Sequence, residues 1–129
     1  MATGLPAVTG DVLTAATFNG LITFTIGAAN TADYTAALSD QYQVLELMNK
    51  ATAIAFKIPT DASVAFPVGT AITVLNIGVG LCTISAVTPG TTTVLSAGAT
   101  AASPTLTQYK SAVCIKTAAN TWYVVGGVA

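Results

Sequence analysis

The sequence predicts an all-β domain, an antiparallel β-sandwich or barrel-like fold, with an extended N-terminal arm. Three observations predict it. Short runs rich in Val, Ile and Thr recur from Asp33 onward at hairpin spacing, separated by Gly, Pro, Asn and Asp. No long helix interrupts them, and eight or so short strands imply two packed layers or a closed sheet. The chain is also 53% hydrophobic and only 7% charged, against roughly 25% charged in ordinary domains. Its 129 residues make one domain-sized unit, divided by composition into an arm over residues 1–30 and a β domain over residues 31–129.

The arm begins with MATGLPAVTG, small, Gly- and Pro-containing and extended, without the basic and apolar regions of a secretion signal. DVLTAATFNGLITF follows at 11–24, with Thr14 as a candidate N-cap. Its short helical run carries apolar residues at Val12, Leu13, Phe18, Leu21 and Ile22. Those side chains need a docking surface on this chain or another.

Strands are expected at 34–38, ended by Ser39-Asp40, and at 44–48, ended by Asn49-Lys50. At 53–58, Ile54, Phe56 and Ile58 alternate with Ala53, Ala55 and Lys57. Pro59 stops that strand because proline cannot donate to a ladder. Residues 71–87, AITVLNIGVGLCTISAV, are long and apolar enough to raise a membrane helix. Thr73, Asn76, Thr83, Ser85 and the central Gly78-Val79-Gly80 argue instead for two strands joined by a turn. In the second half Cys82, Ile84 and Ala86 face one side, Thr83 and Ser85 the other. The first half is apolar on both faces, as for a strand covered on both sides. Pro89-Gly90 marks a turn, 92–95 a further strand and 96–104 a surface loop. Residues 111–116 and 121–125 form a closing hairpin. No strong internal repeat is visible.

Charge removes several functions. Four Lys, five acids, no Arg and no His leave a net charge of −1. Nucleic-acid binding relies on clustered Lys and Arg, so no nucleic-acid partner is expected. Without His there is no His-based triad, general base or zinc site, and Ser and Thr have no base to activate them. Catalytic, cofactor and metal residues are therefore assigned as none. A nearly neutral, charge-poor chain has little electrostatic defence against association, so it belongs either in a membrane or in an assembly. The strand reading of 71–87 favours the assembly.

The remaining candidates are structural. Asp33, Asp40 and Glu46 read as solvated turn and strand residues, Asp61 as a turn former, Cys82 and Cys114 as buried small hydrophobes. Lys57 and Lys116 should lay their stems on apolar surface and extend their ammonium groups to water. Trp122 and Tyr123 point to opposite faces of one strand, one into the core and one to the surface. Exposed aromatics serve interfaces or stack on sugars, so Tyr109 and Tyr123, with Tyr34 and Tyr42, leave carbohydrate binding open. The interface candidates are Phe18, Leu21, Ile22, Tyr109, Trp122 and Tyr123.

One resemblance spans about three-quarters of the chain, leaving the arm outside. LSD at 38–40, Ile58-Pro59, SVAFPVGTAITV at 63–74, GVGLCTI at 78–84, Gln108-Tyr109 and the closing NTWYVVGG at 120–127 carry it. Together they resemble a β-rich module of tailed-bacteriophage virion proteins, found in fibres, tail appendages and capsid decorations. The resemblance implies a homotrimer without catalytic residues. The short chain, lacking a repetitive shaft, implies a head decoration (cement) protein on the capsid exterior, its arm bound to the major capsid protein. A short head- or tail-fibre protein recognising a host glycan is the alternative.

Overall fold

A computed structural model describes Ala15 and residues 23–42, 44–97 and 101–129. Ten strands build it: β1 (Thr25–Ile26), β2 (Tyr34–Thr35), β3 (Val44–Met48), β4 (Ile54–Ile58), β5 (Ala71–Asn76), β6 (Cys82–Ala86), β7 (Thr93–Ser96), β8 (Thr105–Leu106), β9 (Ser111–Ala118) and β10 (Thr121–Gly126). A short 3-10 helix, Leu38–Gln41, follows β2. It replaces the end of the strand expected at 34–38.

The strands form two sheets. One has six strands in the order β1-β3-β5-β9-β10-β7, the other four in the order β2-β4-β6-β8. The chain is all-β, as the sequence predicts, but the antiparallel expectation is corrected. The pairs β1/β3, β3/β5, β2/β4, β4/β6 and β7/β10 are parallel; only β5/β9, β9/β10 and β6/β8 are antiparallel. The physical reason lies in the route. β1 to β6 alternate between the sheets, so the crossover that a parallel pair requires is supplied by a strand of the other sheet instead of a helix. The result is a flattened coil. Thr25 lies beside Val44, 19 positions on, and Leu45 beside Thr73, 28 positions on. In the other sheet Tyr34, Phe56 and Ile84 stack in register.

β9 and β10 then close the six-stranded sheet as the expected hairpin, with Asn120 at positive φ in its turn. β1 lies within residues 1–30 and joins the edge of the six-stranded sheet, where Asn30 also bridges to Met48. Phe18, Leu21 and Ile22 lie outside the described residues.

A single buried cluster joins the inward faces of both sheets. Met48, Ile72, Val74, Cys114, Trp122 and Val124 come from the six-stranded sheet; Ile54, Phe56, Ile58, Cys82, Ile84 and Leu106 come from the other. The alternation along each strand produces this. Ile54, Phe56 and Ile58 are buried while Ala55 and Lys57 are half-exposed; Cys82 and Ile84 are buried while Thr83 and Ser85 are half-exposed. Phe66, from the loop before β5, stands edge-on to Trp122 with ring centroids 5.4 Å apart. Cys82 and Cys114 are free, buried thiols, and burial pushes them up to about 11 and about 12. No described helix is long and apolar enough to cross a membrane.

The corner between β5 and β6 explains the glycines of the 71–87 stretch. It stacks on the corner between β3 and β4: the Gly78 N–H donates to the Met48 carbonyl and the Gly80 N–H to the Lys50 carbonyl. A Cβ on Gly80 would lie 1.8 Å from the Thr52 carbonyl oxygen, and one on Gly78 would lie 2.4 Å from the Lys50 nitrogen. Asn76, fully buried, locks the same corner. Its Nδ2 donates to the carbonyls of Gly80 (2.9 Å) and Leu106 (2.8 Å), and its Oδ1 accepts from the Gly78 N–H (3.0 Å). A polar side chain in an apolar strand is thus fully satisfied.

Candidate functional site

The face of the six-stranded sheet turned away from the core is the most distinctive surface. Strand register assigns its members. Ile26, Leu45, Thr73, Val113 and Val125 form one row across β1, β3, β5, β9 and β10. Ala71, Ile115, Tyr123 and Leu95 form a second across β5, β9, β10 and β7. Leu47, Leu75 and Ser111 form a third. No ionisable carboxylate or amine occurs in these rows. Tyr123 is 43% exposed, Val125 49%, Leu95 37% and Ile26 59%; Leu45, Leu47, Leu75, Val113 and Ile115 are half-buried.

The corresponding face of the four-stranded sheet has a different chemistry. Its rows are Thr35, Lys57 and Ser85, then Ala55, Thr83 and Thr105. The molecule is therefore two-sided: one outer sheet face is aliphatic and aromatic, the other hydroxyl-rich. Parallel strands are normally covered on both faces, and β3 and β5 have the double apolar character of strands built for that.

Among the described charged residues Asp40, Glu46 and Lys116 are buried, while Lys57 and Asp33 face each other at 3.9 Å at the surface. Lys116 corrects the expectation that its ammonium reaches water. It is 4% exposed, and its Nζ donates to Asp61 Oδ1 at 2.8 Å and to the Phe66 carbonyl at 2.6 Å. Asp61 is more than a turn former. Its Oδ2 accepts from the Asn120 N–H, and Asn120 Oδ1 accepts from the Asp61 N–H. The hydrogen bond from Lys116 holds the Asp61 carboxyl below its ordinary range. This pair fastens the loop before β5 to the β9–β10 hairpin.

Asp40 and Glu46 are likewise buried, at 2% and 7% exposure, not solvated as the sequence suggests. The Tyr34 hydroxyl donates to Asp40 Oδ2 at 2.8 Å, the Ala37 N–H to the same oxygen at 2.9 Å, and Asn30 Nδ2 to Glu46 Oε2 at 2.9 Å. Burial, and then a hydrogen bond with Asp40, push the Glu46 carboxyl up to about 7, against the lowering effect of Asn30. Burial, followed by its bond to Asp40, raises the Tyr34 phenol. The cluster ties the β1–β2 connection, β2, the 3-10 helix and β3 together. It is a structural knot.

The expected interface aromatics separate. Trp122 is fully buried and Tyr123 exposed, on opposite faces of β10 as the alternation requires. Tyr109 is 75% exposed in the turn between β8 and β9, at positive φ, its N–H bonded to the Asn76 carbonyl at 2.6 Å. Tyr123 stands across Ile115 from Ala71 and Tyr109 is bonded at Asn76, so the two tyrosines lie level with opposite ends of β5, about 17 Å apart along the strand direction at a rise of about 3.3 Å per residue. They do not form one stacking platform. A cavity of about 260 Å³ between β6 and β7 is lined by Ser85, Ala86, Pro89, Thr92, Thr93, Val94, Leu95, Ala102 and Ser103, with no ionisable group.

No protein-family model, curated protein or solved structure matches this chain.

Proposed function

We propose that this chain is a structural subunit of a tailed-bacteriophage virion. In this reading it is a homotrimeric capsid decoration (cement) protein on the capsid exterior, stabilising the head by bridging capsid subunits. Its domain is a two-sheet sandwich, and its N-terminal arm, residues 1–30, binds the major capsid protein. The single observation that carries the reading is the charge-free outer face of the six-stranded sheet. A contiguous apolar face larger than a few hundred Å² marks a surface destined to be covered. The hydroxyl-rich opposite face suits exposure to water. Cementing requires buried area spanning subunits and no chemistry, which fits a chain whose charged groups mainly fasten its own loops.

The test is placement. Immunogold electron microscopy, with an antibody to this chain, of tailed particles purified from cells that make it naturally should label heads. Label confined to tails would favour the fibre alternative, and particles without label would overturn the virion reading.

A further inference from the structure

We infer that the outer face of the six-stranded sheet is where copies of this chain meet one another. The inference rests on the assembly reading and names the partner of that face. Charge is the first argument. A partner presenting ionised groups would have to strip them of water against a surface that offers no opposite charge, which is strongly unfavourable. The same face on another copy meets the requirement without alteration, since it too lacks Asp, Glu, Lys and Arg.

Area is the second argument. Six strands about 4.8 Å apart, with about five residues each at about 3.3 Å, give a footprint of roughly 450 Å². Side-chain relief enlarges it, and three such faces turned toward a common threefold axis together remove on the order of 1,000 Å² or more, the size at which specific interfaces begin. Composition is the third. Tyr123 stands between Ile115 and Leu95 in one cross-strand row, a large aromatic flanked by aliphatic side chains, which is the kind of anchor that dominates interface energetics. Val125 and Leu75 fill the neighbouring rows.

The experiment is sedimentation velocity on the full chain over a wide concentration range, for the wild type, Tyr123→Lys, Leu95→Lys and the control Thr83→Lys on the opposite sheet. The wild type and the control should associate alike, and each face variant should associate at least tenfold more weakly, with unchanged far-UV circular dichroism. If a face variant loses its fold, the milder Tyr123→Ser decides the matter, and it too should weaken association. Association unaffected by these face variants overturns this inference and leaves the assembly reading standing. A wild type that stays monomeric while the antibody labels phage heads also overturns the inference alone, and assigns the face to the capsid protein or to residues 1–22. A monomer that labels no particle removes both.

Discussion

Replacing Asp61 by Asn removes one charge and little volume, and it isolates the contribution of the buried ion pair. Lys116 is 4% exposed and Asp61 26% by side chain, with 2.8 Å between Nζ and Oδ1. Breaking a buried pair from one side costs about 3–5 kcal/mol, because the other charge is left without compensation. The partial exposure of Asp61 and the remaining bond from Lys116 to the Phe66 carbonyl place this case at the lower end, about 3 kcal/mol. At roughly 4 °C per kcal/mol for a domain of this size, the melting temperature should fall by about 12 °C. Lys116→Met should cost less, about 1–2 kcal/mol, because the stranded carboxylate can reach water whereas the stranded ammonium cannot. The double variant should recover part of the loss, with a coupling of about 2 kcal/mol. Urea unfolding followed by circular dichroism measures all three. A fall of less than about 3 °C for Asp61→Asn, or a coupling near zero, would refute the idea that this pair fastens the loop to the hairpin.

Two further predictions concern the knot and the corner. The Glu46 carboxyl is raised from 4.5 to about 7, so the folded chain holds a proton that the unfolded chain releases. Its stabilisation is full below about pH 4.5 and is lost as the pH rises through 7. The loss should be on the order of 2 kcal/mol, and Glu46→Gln should flatten the decline in melting temperature between pH 5 and 8. Asp61 acts in the opposite sense: its carboxyl is lowered, so its contribution is present above the ordinary carboxylate range and lost as the pH falls through its folded value. Stability should therefore peak in mild acid. Gly80→Ala should be severely destabilising, by about 3 kcal/mol or more, because its Cβ would overlap the backbone of Thr52 and force two stacked corners apart. Gly90→Ala, with open space around its Cβ, should leave the melting temperature within about 2 °C.

The strands were legible because burial alternates along them with period two. Ile54, Phe56 and Ile58 are visible as an inward row in the sequence, and so is the division of Trp122 from Tyr123. The winding was not legible. Its parallel partners lie 19 to 28 positions apart and share no residue pattern, whereas Gly, Pro and Asn between short strands suggest hairpins by default. The two corner glycines act through the backbone of another turn, and Asn76 reaches the carbonyl of Leu106, 30 positions on, which no local spacing announces. The buried charges were legible in part. The alternation that puts Ala112 and Cys114 inside puts Lys116 inside as well, and the one that buries Met48 buries Glu46. The habit of reading a lone charge as solvated hid this. The outer face of the six-stranded sheet shows in the sequence only as strands apolar on both sides; register across β1, β3, β5, β9, β10 and β7 turns those residues into one surface.

The most direct test of the account is the mass of the untagged wild-type chain in solution, measured by sedimentation equilibrium or native mass spectrometry at micromolar concentration. The account predicts a discrete species at three times the 12.9 kDa of the chain. A single species at 12.9 kDa at every concentration would contradict it.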